Sequence, residues 1–368
     1  MTHTTLTPSA TVPVRGGVLR RWPRWAPWAA TLWALGYGLT ALGWTLTGAG
    51  YPMGPADPEG DMSLLGSVPA DVGAPLFAAV ALAAAGTGAV MARYRPGVAV
   101  PRWWRRFAVG FGGSLAVALL VVVPDTRILA VVGYLPMILL KAPFDAEIRA
   151  QVGDALGVEH LHQVVALAGG FLWAAATVVY ARRTAGSCVR CGRPDRSAAV
   201  ATVLRWARPA VYVAAAIPAL YAVTRWIWVA GIPLGIDEEL HAEGMADGSL
   251  WSGAWLASFA LVGTVLTLGL VQRWGEVFPR WVPVLRGRRV PVGLAVAPAS
   301  VVAALVTSGG LGLIKAGIAD STFTSDDWAA VGPALLWPLW GVALAVATLA
   351  YWLRRRGTCA DCGLSEAA

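Results

Sequence analysis

Charge is scarce in this sequence. Only 14% of its 368 residues are Asp, Glu, Lys or Arg, against roughly 25% in water-soluble domains. That shortage excludes an ordinary soluble globule. Lysine is almost missing: Lys141 and Lys315 are the only two, so nearly all positive charge is arginine. Cys188, Cys191, Cys359 and Cys362 are the only cysteines, and on the reducing side of a membrane paired disulfides are not the expected default. The P-loop, the Rossmann glycine pattern, G-x-S-x-G and H-E-x-x-H are all absent. Nothing therefore points to nucleotide binding, serine hydrolysis or zinc-protease chemistry.

Hydrophobic residues make up 57% of the chain, with a mean hydropathy of +0.60. Several long runs carry no charge, which marks an integral membrane protein. Nineteen tryptophans suit a bilayer interface, where the indole body is apolar and its N–H stays wet. The runs are continuously apolar and not alternating, so helices are expected and not a barrel. Eight spans are expected: Trp28–Thr47, Gly73–Ala92, Phe107–Val123, Leu161–Ala181, Pro209–Gly231, Leu250–Val271, Val290–Ile314 and Ala330–Leu353. A polar, Pro/Thr-rich arm, residues 1–23, precedes them as an expected disordered segment. No cleavable signal peptide is expected, because the first apolar run follows Arg15, Arg20, Arg21 and Arg24 and is a full span.

The net charge of +8 does not indicate a nucleic-acid partner, because the basic residues occupy short loops between spans. With the N-terminus inside, 24 of the 29 basic residues fall in inner segments. The other five are Arg127, Lys141, Arg149, Arg225 and Lys315. This one-sided distribution predicts a multi-pass protein of the plasma membrane with both termini cytoplasmic.

The chain also repeats itself. Arg95–Trp103 (RPGVAVPRW) and Arg273–Trp281 (RWGEVFPRW) share R-x-G-x-x-x-P-R-W. Arg24-Trp25-Ala26 returns as Arg205-Trp206-Ala207, and Gly50-Tyr-Pro-Met-Gly54 as Gly231-Ile-Pro-Leu-Gly235. Leu139-Leu140-Lys141-Ala142 returns as Leu313-Ile314-Lys315-Ala316, and Cys188-x-x-Cys191-Gly192 as Cys359-x-x-Cys362-Gly363. The order never changes while the offset drifts from 181 to 171 residues. Five ordered matches predict two four-helix repeats, residues 24–196 and 197–368, each followed by a cytoplasmic Cys-x-x-Cys knuckle. An even number of spans per repeat gives both copies the same orientation. The halves differ at the third span. The run from Phe107 through Lys141 is 35 residues long, too many for one straight crossing. Either that helix ends near Val123 and Ile128–Leu140 lies at the outer interface, or it breaks at Pro124 and continues, which would carry Asp125 and Arg127 to membrane depth.

The knuckles carry the clearest chemistry. Two-residue spacing lets both thiolates of a turn reach one metal ion, and two such pairs complete a zinc tetrahedron. A shared structural zinc on Cys188, Cys191, Cys359 and Cys362 is therefore expected, with free or redox-active thiols as the alternative. The R-x-G-x-x-x-P-R-W loops read as interfacial anchors or as gating elements. His160, His162 and His241 fall near outer acids, Glu239 among them, where a polar or metal site is conceivable; a solvated acidic loop accounts for the same residues. Arg225 late in the fifth span either snorkels or lines a pathway with Asp125 and Arg127. Lys141 and Lys315, matched between the repeats, serve as interfacial anchors or share a pathway role.

The W-G-x-x-F-P-R-W run, the Trp/Arg-bounded helices and the C-x-x-C-G tails resemble an uncharacterised family of multi-pass, eight-span actinobacterial membrane proteins. The resemblance implies an all-α transmembrane fold and no activity. Three functions remain open: a small-molecule transporter or exporter with a pathway between the repeats, an intramembrane enzyme or sensor using the outer histidines, and a membrane scaffold or regulator that docks a partner through its zinc knuckle. The bilayer is the one partner the residues define.

Overall fold

The computed structural model describes residues 21–55, 57, 60–145, 157–193, 198–319 and 327–364. Most of the expected N-terminal arm, the boundary between the halves at 196/197, and Arg149 lie outside the described residues.

The described chain is all helical. Its eleven helices are α1 Trp22–Thr47, α2 Ala70–Arg93, α3 Arg102–Val122, α4 Thr126–Lys141, α5 Val158–Thr184, α6 Ala198–Arg205, α7 Ala207–Val229, α8 Glu238–Ala246, α9 Ser249–Leu268, α10 Val292–Ala319 and α11 Trp328–Arg354. Seven of them, α2, α3, α5, α7, α9, α10 and α11, are long and apolar enough to cross a membrane. The first expected span is the exception. It folds as α1, 26 residues long and starting at Trp22, but its Trp, Gly and Thr content dilutes its hydropathy below that of the seven.

Helix ends follow the expected electrostatics. Asp71 and Glu159 sit in the first turns of α2 and α5, and Arg93, Arg182 and Arg183 in their last turns, each complementing the helix dipole. Asp237 caps α8 by accepting from the backbone N–H of Glu239 at 2.9 Å.

The packing is inverted in residue size relative to a soluble core. The buried faces of α1 and α2 are mostly alanine and glycine, including Ala30, Ala34, Ala78 and Ala84, while Leu32, Leu39 and Leu76 point outward. Lipid solvates large side chains as well as protein does, so tight backbone approach through small residues holds such helices together. Partners run in parallel through the two halves. α1 packs on α2 and α5, and α3 on α5; α7 packs on α9 and α11, and α10 on α11. Each half has its own core. One surrounds Trp173 and Tyr180 on α5, the other Tyr351 on α11. A smaller cluster joins the halves, with Ile128 of α4 and Leu167 of α5 against Ala304 and Leu305 of α10.

The third span settles between its two readings. α3 ends in a wide π-type turn, Ala118–Val122, the backbone leaves the helix at Val123, Pro124 and Asp125, and α4 follows as a separate helix. α10, which carries the proline that the expected repeat aligns with Pro124, passes through Pro298 unbroken. The R-x-G-x-x-x-P-R-W loops also differ: Gly97 takes φ +94°, whereas Arg273–Gly275 is a 3-10 turn. Trp103 and Trp281 are nonetheless 69% and 81% exposed, as interfacial anchoring requires.

α10 and α11 cross closely at Gly341 of α11. A Cβ there would stand 2.0 Å from Thr307 Oγ1 and 2.6 Å from the Ala303 carbonyl oxygen. Gly341→Val is expected to force α10 and α11 apart and destabilise the protein by about 1–3 kcal/mol, measured as a lowered unfolding midpoint in detergent. Gly263→Ala, where a Cβ meets open space, should leave that midpoint unchanged.

Candidate functional site

Three arrangements follow one another along α10: a cysteine cluster near its start, a cavity beside its first half, and a buried ion network beside its second half.

At the first end, the basic segments come together. Arg183 donates to the Pro23 carbonyl at 2.7 Å, Arg105 to Thr184 at 2.9 Å, and Arg355 to the Val290 carbonyl at 2.7 Å. Arg193 donates to the Gly357 carbonyl at 2.9 Å. The two knuckles meet among these arginines. Both turns are closed alike, by Gly192 N–H to Cys188 O at 2.7 Å and by Gly363 N–H to Cys359 O at 2.9 Å. Gly192 and Gly363 take φ +78° and +71°, a left-handed turn that favours glycine.

Cys188 Sγ lies 3.8 Å from Cys359 Sγ, and Cys191 Sγ 3.6 Å from Cys362 Sγ. All four sulfurs fall within 4.8 Å of one another. A tetrahedron of ~2.3 Å zinc–sulfur bonds places its sulfurs ~3.8 Å apart, so the donor set fits a metal such as zinc. Burial pushes the Cys191 thiol up to about 12. Burial also acts upward on Cys359, but the backbone N–H groups of Asp361 and Cys362 outweigh it and bring Cys359 down to about 7. Those backbone donors favour the Cys359 thiolate, the form that ligates a metal.

Beside the cluster, α3 and α5 of the first half face α10 and α11 of the second across a cavity of about 1060 Å³. Val121, Phe171, Val296 and Val346 are among its apolar walls. Its end nearest the knuckles is formed by Arg182, Arg190, Arg355, Arg356, Cys191 and Cys359.

Farther along α10, the helix break is answered from several directions. The Pro124 carbonyl accepts from the Ser308 hydroxyl of α10. Asp125 N–H donates to Gln163 Oε1 of α5 at 3.2 Å. The Asp125 carboxylate accepts from Arg127 N–H at 2.9 Å, capping α4. Arg127 Nε also donates to both Asp125 oxygens, and its two terminal nitrogens grip Asp57 at 2.9 and 2.7 Å. Asp125 and Arg127 are buried, 2% and 9% exposed. A guanidinium held bidentately between two carboxylates is the geometry in which a buried charge is tolerated.

The remaining expected residues do not converge. Lys315 donates to the Ser63 carbonyl at 2.7 Å, holding the 60–66 turn on α10, whereas Lys141 is exposed at the end of α4; the matched lysines do different things. Arg225 donates to the carbonyls of Ala329 and Ala330 at 3.1 Å and lies over Tyr221 and Trp228. Pro333 has no N–H for Ala329, so Arg225 supplies the donor that the helix lacks. His162 packs in an aromatic group with Tyr37 and Trp44, its Nδ1 3.5 Å from the Tyr37 hydroxyl. His241 Nε2 lies 2.9 Å from the Trp228 carbonyl, His160 is half-buried on α5, and Glu239 is exposed on α8. Among the described residues, the four cysteines are the group of metal-ligating side chains close enough to share an ion; the outer histidines form no such set. Asp57, Gln163 and Ser308 were not expected at a site. Asp57 follows Gly50–Gly54 as the acids at 237–239 follow the matching Gly231–Gly235, and that shared context is the sequence signal for it.

Comparison with protein-family models, curated proteins and solved structures returns no match for this chain. Fold and composition define a multi-pass helical membrane protein.

Removing Arg127 leaves two buried carboxylates facing each other. Arg127→Leu is expected to cost about 3–5 kcal/mol, read as a loss of folded protein in detergent-based denaturation. Asp57→Asn, which leaves Arg127 its Asp125 partner, should cost less.

Proposed function

We propose that this chain is an eight-span plasma-membrane transporter or exporter, built from two four-helix repeats that share an orientation, with its pathway between them. α1 is the eighth span, and both termini are cytoplasmic. The observation that carries the reading is the cavity between the halves, walled by α3 and α5 on one side and α10 and α11 on the other. Parallel repeats with a broken helix at their interface are a recurrent transporter design, and the parallel packing of the halves supports duplication. The arginine-bearing segments meet at one end of the bundle, which supports placing that end in the cytoplasm. There, zinc on the four cysteines clips one repeat to the other; its chemistry is structural, and no step of transport passes through it.

Reconstituted into liposomes, the protein is expected to move a solute from a broad panel faster than the Ala345→Trp variant, in which a cavity-lining residue is enlarged into the path. Equal leak for both proteins across the panel would exclude transport.

A second reading, a membrane scaffold or regulator that binds a cytoplasmic partner, is favoured by one observation, the cysteine cluster at the arginine-rich end. The metal is tested the same way under either reading. Purified protein should carry about one zinc per chain, and a variant with all four cysteines changed to Ser should lose the metal and also unfold at lower temperature. Because ligation requires deprotonated sulfur, zinc retention should weaken as pH is lowered.

A further inference from the structure

We infer that Arg193 is a positioning residue of the four-cysteine centre: its buried guanidinium holds the second knuckle against the first and serves as counter-ion to a divalent metal bound by four thiolates. This rests on the metal reading of the cysteines and goes beyond it, naming a residue that ligates nothing but on which the ligand set depends.

The two knuckles meet position for position. Cys188 faces Cys359, and Cys191 faces Cys362. Arg190 and Asp361 hold the same place in the two turns and pair at 2.9 Å. Arg193 and Leu364 each follow the glycine of their turn, and they meet as well. Arg193 Nη1 donates to the Leu364 carbonyl, and also to the Gly357 carbonyl at 2.9 Å. The reverse crossing is made by Arg356, which donates to the Cys191 carbonyl at 2.8 Å. Each tail is thus gripped by a guanidinium from the other.

The charges at these matched places are answered differently. Arg190 has Asp361. Arg193 stands opposite a leucine, is 7% exposed, and bonds only carbonyl oxygens through its side chain. Its Nη2 is buried without a partner. A guanidinium stays protonated in a protein, and a buried cation without an anion is strongly disfavoured. Carbonyl dipoles orient such a group without cancelling its charge.

The anion that fits is the centre itself. Four thiolates around a divalent ion make a dianion. Arg193 is tied to that centre at both ends. Its own N–H donates to Cys191 Sγ at 3.5 Å, and its side chain ends on Gly357 and Leu364, the residues that flank Cys359 and Cys362. Groups just outside a coordination sphere orient the ligands and tune the metal, and losing one commonly costs ~10–100-fold in metal affinity.

The test is metal binding by the purified full chain, stripped with a chelator and reloaded with cobalt or zinc. The wild-type protein should give the absorption of a tetrahedral four-thiolate cobalt site. Arg193→Gln, which removes the charge, should bind zinc at least tenfold more weakly in competition with a chromophoric chelator. Arg193→Lys, which restores the charge, should recover most of that loss. A residue that only ties the tails together would weaken the stripped and the loaded protein alike. For a counter-ion, the gap in unfolding midpoint between wild type and Arg193→Gln should widen when zinc is added. Zinc affinity in Arg193→Gln equal to wild type, or Arg193→Lys as weak as Arg193→Gln, overturns the inference. Should Arg193→Gln fail to fold, the Arg193 side-chain N–H resonance of the wild-type protein, identified by its loss in Arg193→Lys, should shift on adding zinc; an unmoved resonance overturns the inference. A wild-type protein that takes up no metal sinks the metal reading and the inference together, whereas metal held equally well without the Arg193 charge sinks the inference alone.

Discussion

The backbone that Pro124 interrupts has to be answered from outside its own helix, and the answers come from both halves. Within a low-dielectric bundle an open carbonyl or N–H is too costly to leave. Ser308 of α10 takes the Pro124 carbonyl, and Gln163 of α5 takes the Asp125 N–H. Asp125 is then free to cap α4 and hold Arg127, whose remaining nitrogens fix Asp57 and with it the loop before α2. Each contact depends on the one before it. Restoring a continuous helix would remove the reason for Ser308, for Gln163 and for the ion network together.

α10 is the spine on which this is assembled. Val292 and Val296 border the cavity near the cysteine end, Leu305 packs into the cluster that joins the halves, Ser308 meets the break, and Lys315 meets Ser63. That progression takes ~35 Å at 1.5 Å per residue, which is the scale of a bilayer core. The two halves are thus joined differently at the two ends of one helix: by cysteines among arginines at its start, and by a desolvated network toward its finish.

Much of this was legible where the signal is local. Apolar runs located the helices, because backbone hydrogen bonding leaves a buried chain little alternative. Cys-x-x-Cys-Gly encodes a turn within five residues, and the structure brings the two turns to one place. Contacts between distant residues were harder to read. Asp57 and Arg127 stand 70 residues apart, and no period or spacing links them. The matched lysines show the limit of sequence symmetry: Lys315 has the 60–66 turn to bind, while Lys141 ends its helix exposed. Arg225 read as a pathway or snorkelling group because the proline-freed carbonyl that it satisfies lies on another helix. The histidines, grouped with acids by their place in the chain, are separated by what each packs against. In α1, tryptophans suit the ends of a helix at a membrane interface and weaken its hydropathy signal at once.

The cysteine cluster also carries a consequence for biogenesis. Its first two sulfurs emerge from the ribosome 171 residues before their partners, on the far side of the entire second half. A nascent chain therefore presents two sulfurs that cannot close a tetrahedron, and if the four hold a metal, its coordination sphere is complete only once the final tail has folded back beside the first pair. Metal capture in this protein would then report that translation and insertion have both finished, a checkpoint set by the order of the codons.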